Sequence, residues 1–303
     1  MYEPSGRQLP HLAFLWPALA AASASEFAGS IAKQFVGFSG ATEGSAGPEP
    51  EWATPSTVAL ELKTVRLRDF STAQQGVPTL LCAPFALHGA GIVDLAPGHS
   101  LVQALRAAGL ARLFVTHWRS ADAEMRFFGI DDYLAELNVL VDQLGGRVDL
   151  VGLCQGGWLS LLYAGRFPAK VRRLVLVGAP IDIAAAPSGL SVITDANPLS
   201  LFQELVMLGG GRVLGHAMRK FWGAGMPTND EIHRLLQTCE PINSSGFAWL
   251  AAQFRAWDAW TVDLPGTYYL EVVEKLYKRN ELAGGQFVAL GEIIDLADVR
   301  APL

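Results

Sequence analysis

A short apolar run, Val148-Asp-Leu-Val-Gly-Leu153, ends at Cys154, and Gln155-Gly-Gly157 leads at once into Trp158-Leu-Ser-Leu-Leu-Tyr163. Few chains can accommodate this arrangement. A strand must stop, turn within one or two residues and start a helix, with Gly152, Gly156 and Gly157 placed where strand and helix press together. In such a nucleophile elbow the turn is strained and the apical side chain projects over the sheet edge. The Gly-x-Cys-x-Gly pattern arises by chance in unrelated chains, so its weight comes from the strand-like run before it and the amphipathic helix after it. A buried cysteine in a glycine-rich turn is the competing reading.

The rest of the chain is consistent with a sheet protein built around that turn. At 303 residues, 50% hydrophobic and 17% charged, it can bury the core of one large α/β domain with an insertion. Val58 to Phe70 alternates apolar and polar positions, as an antiparallel edge strand does. Gly76 to Pro84, Ala111 to His117 and Val171 to Gly178 are continuous apolar runs, expected of strands covered on both faces. Helical patterns lie between them at Ser100 to Ala108 and Ile130 to Leu144. This alternation predicts a mostly parallel, doubly wound sheet with right-handed crossovers.

Four segments are expected: an N-terminal amphipathic arm and linker (1–55), a core (56–186), a Trp- and Leu-rich helical cap (187–284), and a return to the core (285–303). Thr228-Asn-Asp-Glu231 has the form of a capping box within the cap. In the arm, Trp16, Ala20, Ala24, Phe27, Ile31 and Phe35 recur at helical spacing, suited to the core, a partner or an apolar surface. The run from His11 to Ser25 has some features of a secretory signal, but Arg7 is the only basic residue before it and Pro17 interrupts it. No segment is long enough to span a bilayer.

A net charge of −6 without a dense Lys/Arg cluster argues against nucleic acid. Three widely spaced cysteines (Cys82, Cys154, Cys239) suit neither a disulfide framework nor a metal site, and free thiols point to the cytoplasm.

As a nucleophile, Cys154 needs a base to form thiolate, a carboxylate to orient that base, and backbone N–H donors for the developing oxyanion. On this type of elbow the donors come from the residue after the nucleophile, Gln155, and from the loop after an earlier strand, near Ala86. His88 lies in that loop as a candidate loop-shaping residue or substrate contact. His216 and His233 fall in the cap, His117 ends a strand and His99 precedes a helix, so none is well placed as the base. Asp182, after the strand that follows the elbow helix, is either an acid in an alternative position or a turn aspartate. The acid and histidine of such a site follow the nucleophile on later strands, and the chain is expected to stop where the acid-bearing strand would begin.

These residues resemble the catalytic domain of polyhydroxyalkanoate synthases, nearest the class III type. The synthase box is seen as Gly152-Leu-Cys-Gln-Gly-Gly157. Ordered matches run from about Thr57 to Leu303: Val115-Thr-His-Trp118, Asp131-Asp-Tyr133, Phe167-Pro168 with Val171, Ala179-Pro-Ile-Asp-Ile183, Leu264-Pro-Gly266, Leu276-Tyr277 and Asn280-Glu-Leu282. The resemblance implies an α/β-hydrolase core under a helical cap, with Cys154 accepting a 3-hydroxyacyl group from a coenzyme A thioester and passing it to a growing polyester. It implies no cofactor beyond that substrate, and it raises a granule surface, a second subunit or a homo-oligomer as partners. The family's catalytic aspartate and histidine lie beyond the segment matching Asp298 to Leu303, so a fragment or an incomplete enzyme is expected. The loop His88-Gly-Ala-Gly-Ile-Val-Asp-Leu95 departs from the synthase pattern toward the His-Gly loops of esterases. This keeps an esterase, thioesterase or intracellular depolymerase open, together with a non-catalytic granule- or partner-binding subunit.

Overall fold

A computed structural model describes residues 48–186, 189–221 and 244–303. The amphipathic arm, the Thr228 to Glu231 capping box, His233 and Cys239 lie outside the described residues.

Six strands form the central sheet: β1 (Thr57–Glu61), β2 (Val65–Asp69), β3 (Thr79–Cys82), β4 (Leu113–Trp118), β5 (Val148–Leu153) and β6 (Val171–Val177). Their order is β1-β2-β4-β3-β5-β6. The pairs β4/β3, β3/β5 and β5/β6 are parallel, and only β1/β2 and β2/β4 are antiparallel. Every residue of β3 and β4 is buried, which is why these segments read as unbroken apolar runs.

Three crossover helices connect the parallel strands: α1 (Leu101–Ala107), α2 (Ile130–Gln143) and α3 (Gln155–Arg166). Because strand side chains alternate in direction, Leu80 and Cys82 of β3 join the core under α2 and α3, while Leu81 and Ala83 join the second core with Val102 of α1. The chain winds from β3 to β4 on one side and then returns past β3 to β5, so the strand order reverses beside the elbow. In open α/β sheets, ligands bind at such a reversal, outside the carboxyl ends of the strands.

The single edge strand expected over 58–70 is instead the β1/β2 hairpin. The Leu62 amide donates to Val65 O at 2.9 Å, and Glu136 of α2 accepts from the Thr64 amide and hydroxyl at 2.8 and 2.6 Å. A glutamate 72 residues away thus fixes the turn, and an alternation pattern read locally carries no sign of it.

Five helices of the 187–284 region are described: α4 (Gly189–Ala196), α5 (Leu199–Leu208), α6 (Gly215–Phe221), α7 (Ser244–Ala259) and α8 (Gly266–Glu271). The last runs into a π-helical turn, Val272–Lys278. Arg212–Val213 also pairs with Leu264–Pro265, a ribbon too short to show a strand period in the sequence. Near the C-terminus, Val288–Ala289 pairs with Glu292–Ile293 as a separate hairpin. The last residues run beside β6, where the Leu174 amide donates to Pro302 O at 2.9 Å.

Candidate active site

Cys154 sits between β5 and α3 with φ 47° and ψ −115°, one of three non-glycine residues with positive φ among those described. A side chain held in this region costs about 1–3 kcal/mol and persists only where its surroundings impose it. Here two backbone bonds do so: the Cys154 amide donates to Val177 O of β6, and the Gly157 amide donates to Cys154 O, both at 2.8 Å. The flanking glycines are required by contact. A Cβ on Gly156 would lie 2.3 Å from Cys82 O, one on Gly157 would lie 2.4 Å from Ala179 Cβ, and one on Gly152 would lie 2.6 Å from Gly157 Cα. Strand and helix therefore meet backbone to backbone, and the cysteine is forced to the apex.

The Gln155 amide hydrogen-bonds to the Cys154 thiol and favours its thiolate, but burial outweighs it and pushes the thiol up to about 11. No described cation or imidazole opposes that shift. The backbone presents the thiol at the apex of the turn, whereas burial keeps it protonated near neutrality.

The Gln155 side chain is fixed at both ends. Its carbonyl accepts from Trp158 Nε1 at 2.6 Å, and its amide nitrogen donates to the Tyr277 hydroxyl at 2.7 Å. Tyr277 belongs to the π-helical turn and is buried. Tyr268 and Tyr133 lie deeper, ring to ring with each other at 4.7 Å and with Phe85 at 5.2 and 4.8 Å.

Ala86, the second expected oxyanion donor, lies in the loop after β3, and no acceptor takes its amide among the described residues. The loop is held against residues 257–262. Leu87 O accepts from the Val262 amide at 2.9 Å, and His88 bridges to Thr261. His88 Nε2 lies 3.1 Å from both the carbonyl and the carboxylate Oδ1 of Asp258, and its ring lies 4.5 Å from that of Trp257. Trp257 Nε1 donates to Gly89 O at 2.9 Å, while the Trp260 ring lies so close over Gly89 that a Cβ there would be 1.6 Å from it. The structure thus brings His88 against Trp257 and Asp258 of α7.

The remaining candidates are placed elsewhere. His117 is buried at the sheet, accepts from Arg68 Nε at 3.1 Å and contacts Glu49 at 3.2 Å; burial, reinforced by Arg68 and Arg66, holds it down to about 3, so it stays neutral. Asp182 is a turn aspartate that accepts from Asn280 Nδ2 at 2.8 Å and from the Ala184 amide at 3.0 Å, and these bonds hold its carboxyl below the usual range. His99 lies on a two-residue ribbon before α1, and His216 lies in α6. Among the described residues, no histidine acts electrostatically on the Cys154 thiol. No described group of His, Cys, Asp or Glu residues is arranged to hold a metal ion, and no described helix is long and apolar enough to cross a membrane.

Sequence reasoning gave no role to Tyr277, Trp158 or Asp258. Their partners are 122, 3 and 170 residues away, so only Trp158, one helical turn after Gln155, carried a local signal.

The profile of the alpha/beta hydrolase fold family matches residues 44–266. The chain is 24% identical over 259 residues to the poly(3-hydroxyalkanoate) polymerase subunit PhaC of Haloferax mediterranei, covering 82% of this chain and 52% of that protein. It is 26% identical over 227 residues to the PhaC subunit of Synechocystis sp., covering 70% and 58%. It is 24% identical over 267 residues to that of Allochromatium vinosum, covering 85% and 72%. The chain thus spans little more than half the length of the first two relatives. Among solved structures, a membrane phospholipase A described as a bacterial virulence factor aligns over 96% of this chain and 77% of its own, with 14% identity and TM-score 0.45. An epoxide hydrolase of Bacillus megaterium aligns over 78% and 79%, with 14% identity and TM-score 0.41.

Proposed function

The chain belongs to the α/β-hydrolase fold family, and from that premise we propose that it is an acyltransferase of the polyhydroxyalkanoate synthase kind. The observation that carries this reading is the strained apical position of Cys154, with the Gln155 amide on its sulfur. Similarity to PhaC polymerase subunits over 70 to 85% of the chain supports the substrate class. In this proposal the Cys154 thiolate attacks the carbonyl of a 3-hydroxyacyl-CoA. The amides of Gln155 and Ala86 hold the tetrahedral oxyanion. Coenzyme A leaves as its thiol, taking up a proton, and the acyl group stays on Cys154 as a thioester. The 3-hydroxyl of another unit then attacks that thioester, extends the polyester and frees the cysteine. Both steps need a proton acceptor, and the proposal assigns it to a group outside the described residues. The reaction is placed in the cytoplasm, with the growing polyester or its granule as the partner surface.

Incubation of the purified chain with 3-hydroxybutyryl-CoA is expected to release coenzyme A and form polymer, and Cys154→Ala is expected to abolish both. Coenzyme A release with only free hydroxy acid as product would replace the transferase with a thioesterase. That no base acts on the Cys154 thiol among the described residues favours a second reading, in which the folded chain is a non-catalytic subunit that binds a polyester surface or a partner. Release of no coenzyme A by folded protein would establish that reading over the first.

A further inference from the structure

Asp94 caps the 3-10 turn Ala90–Val93, at the far end of the loop that carries Ala86, and it is fully buried. A buried carboxylate must be met by donors. The Thr54 amide donates to its Oδ2 at 2.7 Å, the Thr54 hydroxyl donates to its Oδ1 at 2.8 Å, and the Ser100 hydroxyl donates to Oδ1 as well. The Ala53 amide adds a bond to Asp94 O at 3.2 Å, and Gln103 Nε2 donates to the Thr54 hydroxyl at 3.1 Å. The end of the loop is therefore tied to a segment 40 residues earlier. That segment is fixed in its turn by Arg68 of β2. Arg68 Nη1 donates to Ser56 Oγ at 3.2 Å, Nη2 lies 3.7 Å from Glu49 Oε1, and the guanidinium lies 4.6 Å over the Trp52 ring. Arg68 Nε donates to His117 Nδ1, so the imidazole hydrogen sits on Nε2 and is donated to Glu49 Oε1 at 3.2 Å. Trp52 packs on Phe70 at 5.6 Å and on His117 at 5.4 Å, and His117 lies 6.1 Å from the Trp260 ring that covers Gly89.

We propose that residues 49–56 are a strap that positions the Ala86 loop, with Asp94 as the positioning residue and Arg68 as the anchor. The strap reaches the loop along two routes, directly at Asp94 and through His117 and Trp260 at Gly89. The other end of the loop is set by β4, where the Ala83 amide donates to Thr116 Oγ1 at 2.9 Å. Held at both ends, the loop keeps the Ala86 amide in a fixed direction. Released at Asp94, it samples more conformers, and the preorganisation that an oxyanion donor needs is lost. Asp94 touches no reacting atom and acts only through the loop. The inference rests on the reading of Ala86 as an oxyanion donor.

The test is hydrogen–deuterium exchange of the full chain, read by peptide mass over residues 86–94 and over β3 and β5, beside coenzyme A release from 3-hydroxybutyryl-CoA. Thr54→Val keeps the side-chain shape but removes the hydroxyl bond to Asp94, and Thr54→Ser retains that bond. Asp94→Asn alters the acceptor itself, and the milder Thr54→Val guards against an Asp94 variant that fails to fold. Loss of one hydrogen bond to a carboxylate should speed local opening, and hence exchange over 86–94, about tenfold. Thr54→Val and Asp94→Asn are expected to show this with wild-type protection in β3 and β5. Their kcat should fall with KM unchanged, because an oxyanion donor acts in the transition state alone. Thr54→Ser should match the wild type in both measurements. Wild-type exchange over 86–94 in both variants, or faster exchange spread equally over β3 and β5, would overturn the strap. Faster loop exchange with wild-type kcat would overturn the positioning role. A wild type that releases no coenzyme A would overturn the acyltransferase reading, and exchange over 86–94 would still decide whether the strap holds the loop.

Discussion

Replacing Gly156 by alanine tests whether the elbow is held by backbone contact. The new Cβ would lie 2.3 Å from Cys82 O and 2.6 Å from Ala83 O, where ordinary contact begins at 3.4 Å. Neither neighbour is free to yield. Cys82 is paired with Gly152 in the β3/β5 ladder, and Ala83 O accepts from Trp118 Nε1 at 2.8 Å. The start of α3 must therefore lift from the sheet by roughly 1 Å. Overpacking of this kind costs about 1–3 kcal/mol, a fall of a few degrees in melting temperature for a chain of this size. The same displacement moves the Gln155 amide relative to the Ala86 loop, and a misplacement of about 1 Å in a catalytic constellation costs about 100-fold in rate. Thermal unfolding and coenzyme A release would be measured beside Gly284→Ala, whose Cβ meets nothing closer than 3.4 Å and which should stay within about 0.5 kcal/mol of wild type. A Gly156→Ala protein that melts and turns over like wild type would refute backbone contact as the constraint on the elbow.

Two further outcomes follow from the same contacts. Burial raises Cys82 from 9.0 to about 12 and Cys154 from 9.0 to about 11. A raised group contributes stability in full below its unfolded value, here about 9, and loses it as pH climbs through the folded value. Denaturant midpoints should therefore fall between about pH 9 and pH 12, Cys82 accounting for about 4 kcal/mol of the loss; Cys82→Ala should flatten the decline, and an unchanged slope would reject burial as its cause. Asp258→Asn weakens the His88 contact while preserving shape. It should lower coenzyme A release severalfold with little change in melting temperature, whereas full activity would show that the clamp does not position the loop.

The parallel core was legible because buried strands announce themselves. The runs read at Gly76, Ala111 and Val171 correspond to β3, β4 and β6, and the elbow lies where Gly152, Gly156 and Gly157 place it. What escaped was set by contacts distant in sequence. Glu136 folds the Leu62 turn, Asp258 claims His88, and Tyr277 reaches Gln155 across 122 residues. Leu276-Tyr277 belongs to the ordered resemblance, yet a tyrosine at helical spacing looks the same whether it only fills a core or also accepts from a distant glutamine. The loop histidine showed the opposite limit. Gly89 lies under the Trp260 ring, a packing constraint that the His-Gly pattern does not announce.

Both halves of the proposed oxyanion site contact the 187–284 segment. From its α7 end, Trp257, Asp258 and Trp260 grip the loop carrying Ala86; from its π-helical end, Tyr277 fixes the side chain of Gln155. Among the described residues, the backbone of Cys154 is bonded to the sheet and to α3. The backbone strain at Cys154 is thus a property of the α/β core, whereas Gln155 and the Ala86 loop are held by residues 257–277. Displacing the cap should leave the backbone of Cys154 in place but remove the Gln155–Tyr277 bond and the Ala86 loop clamp together.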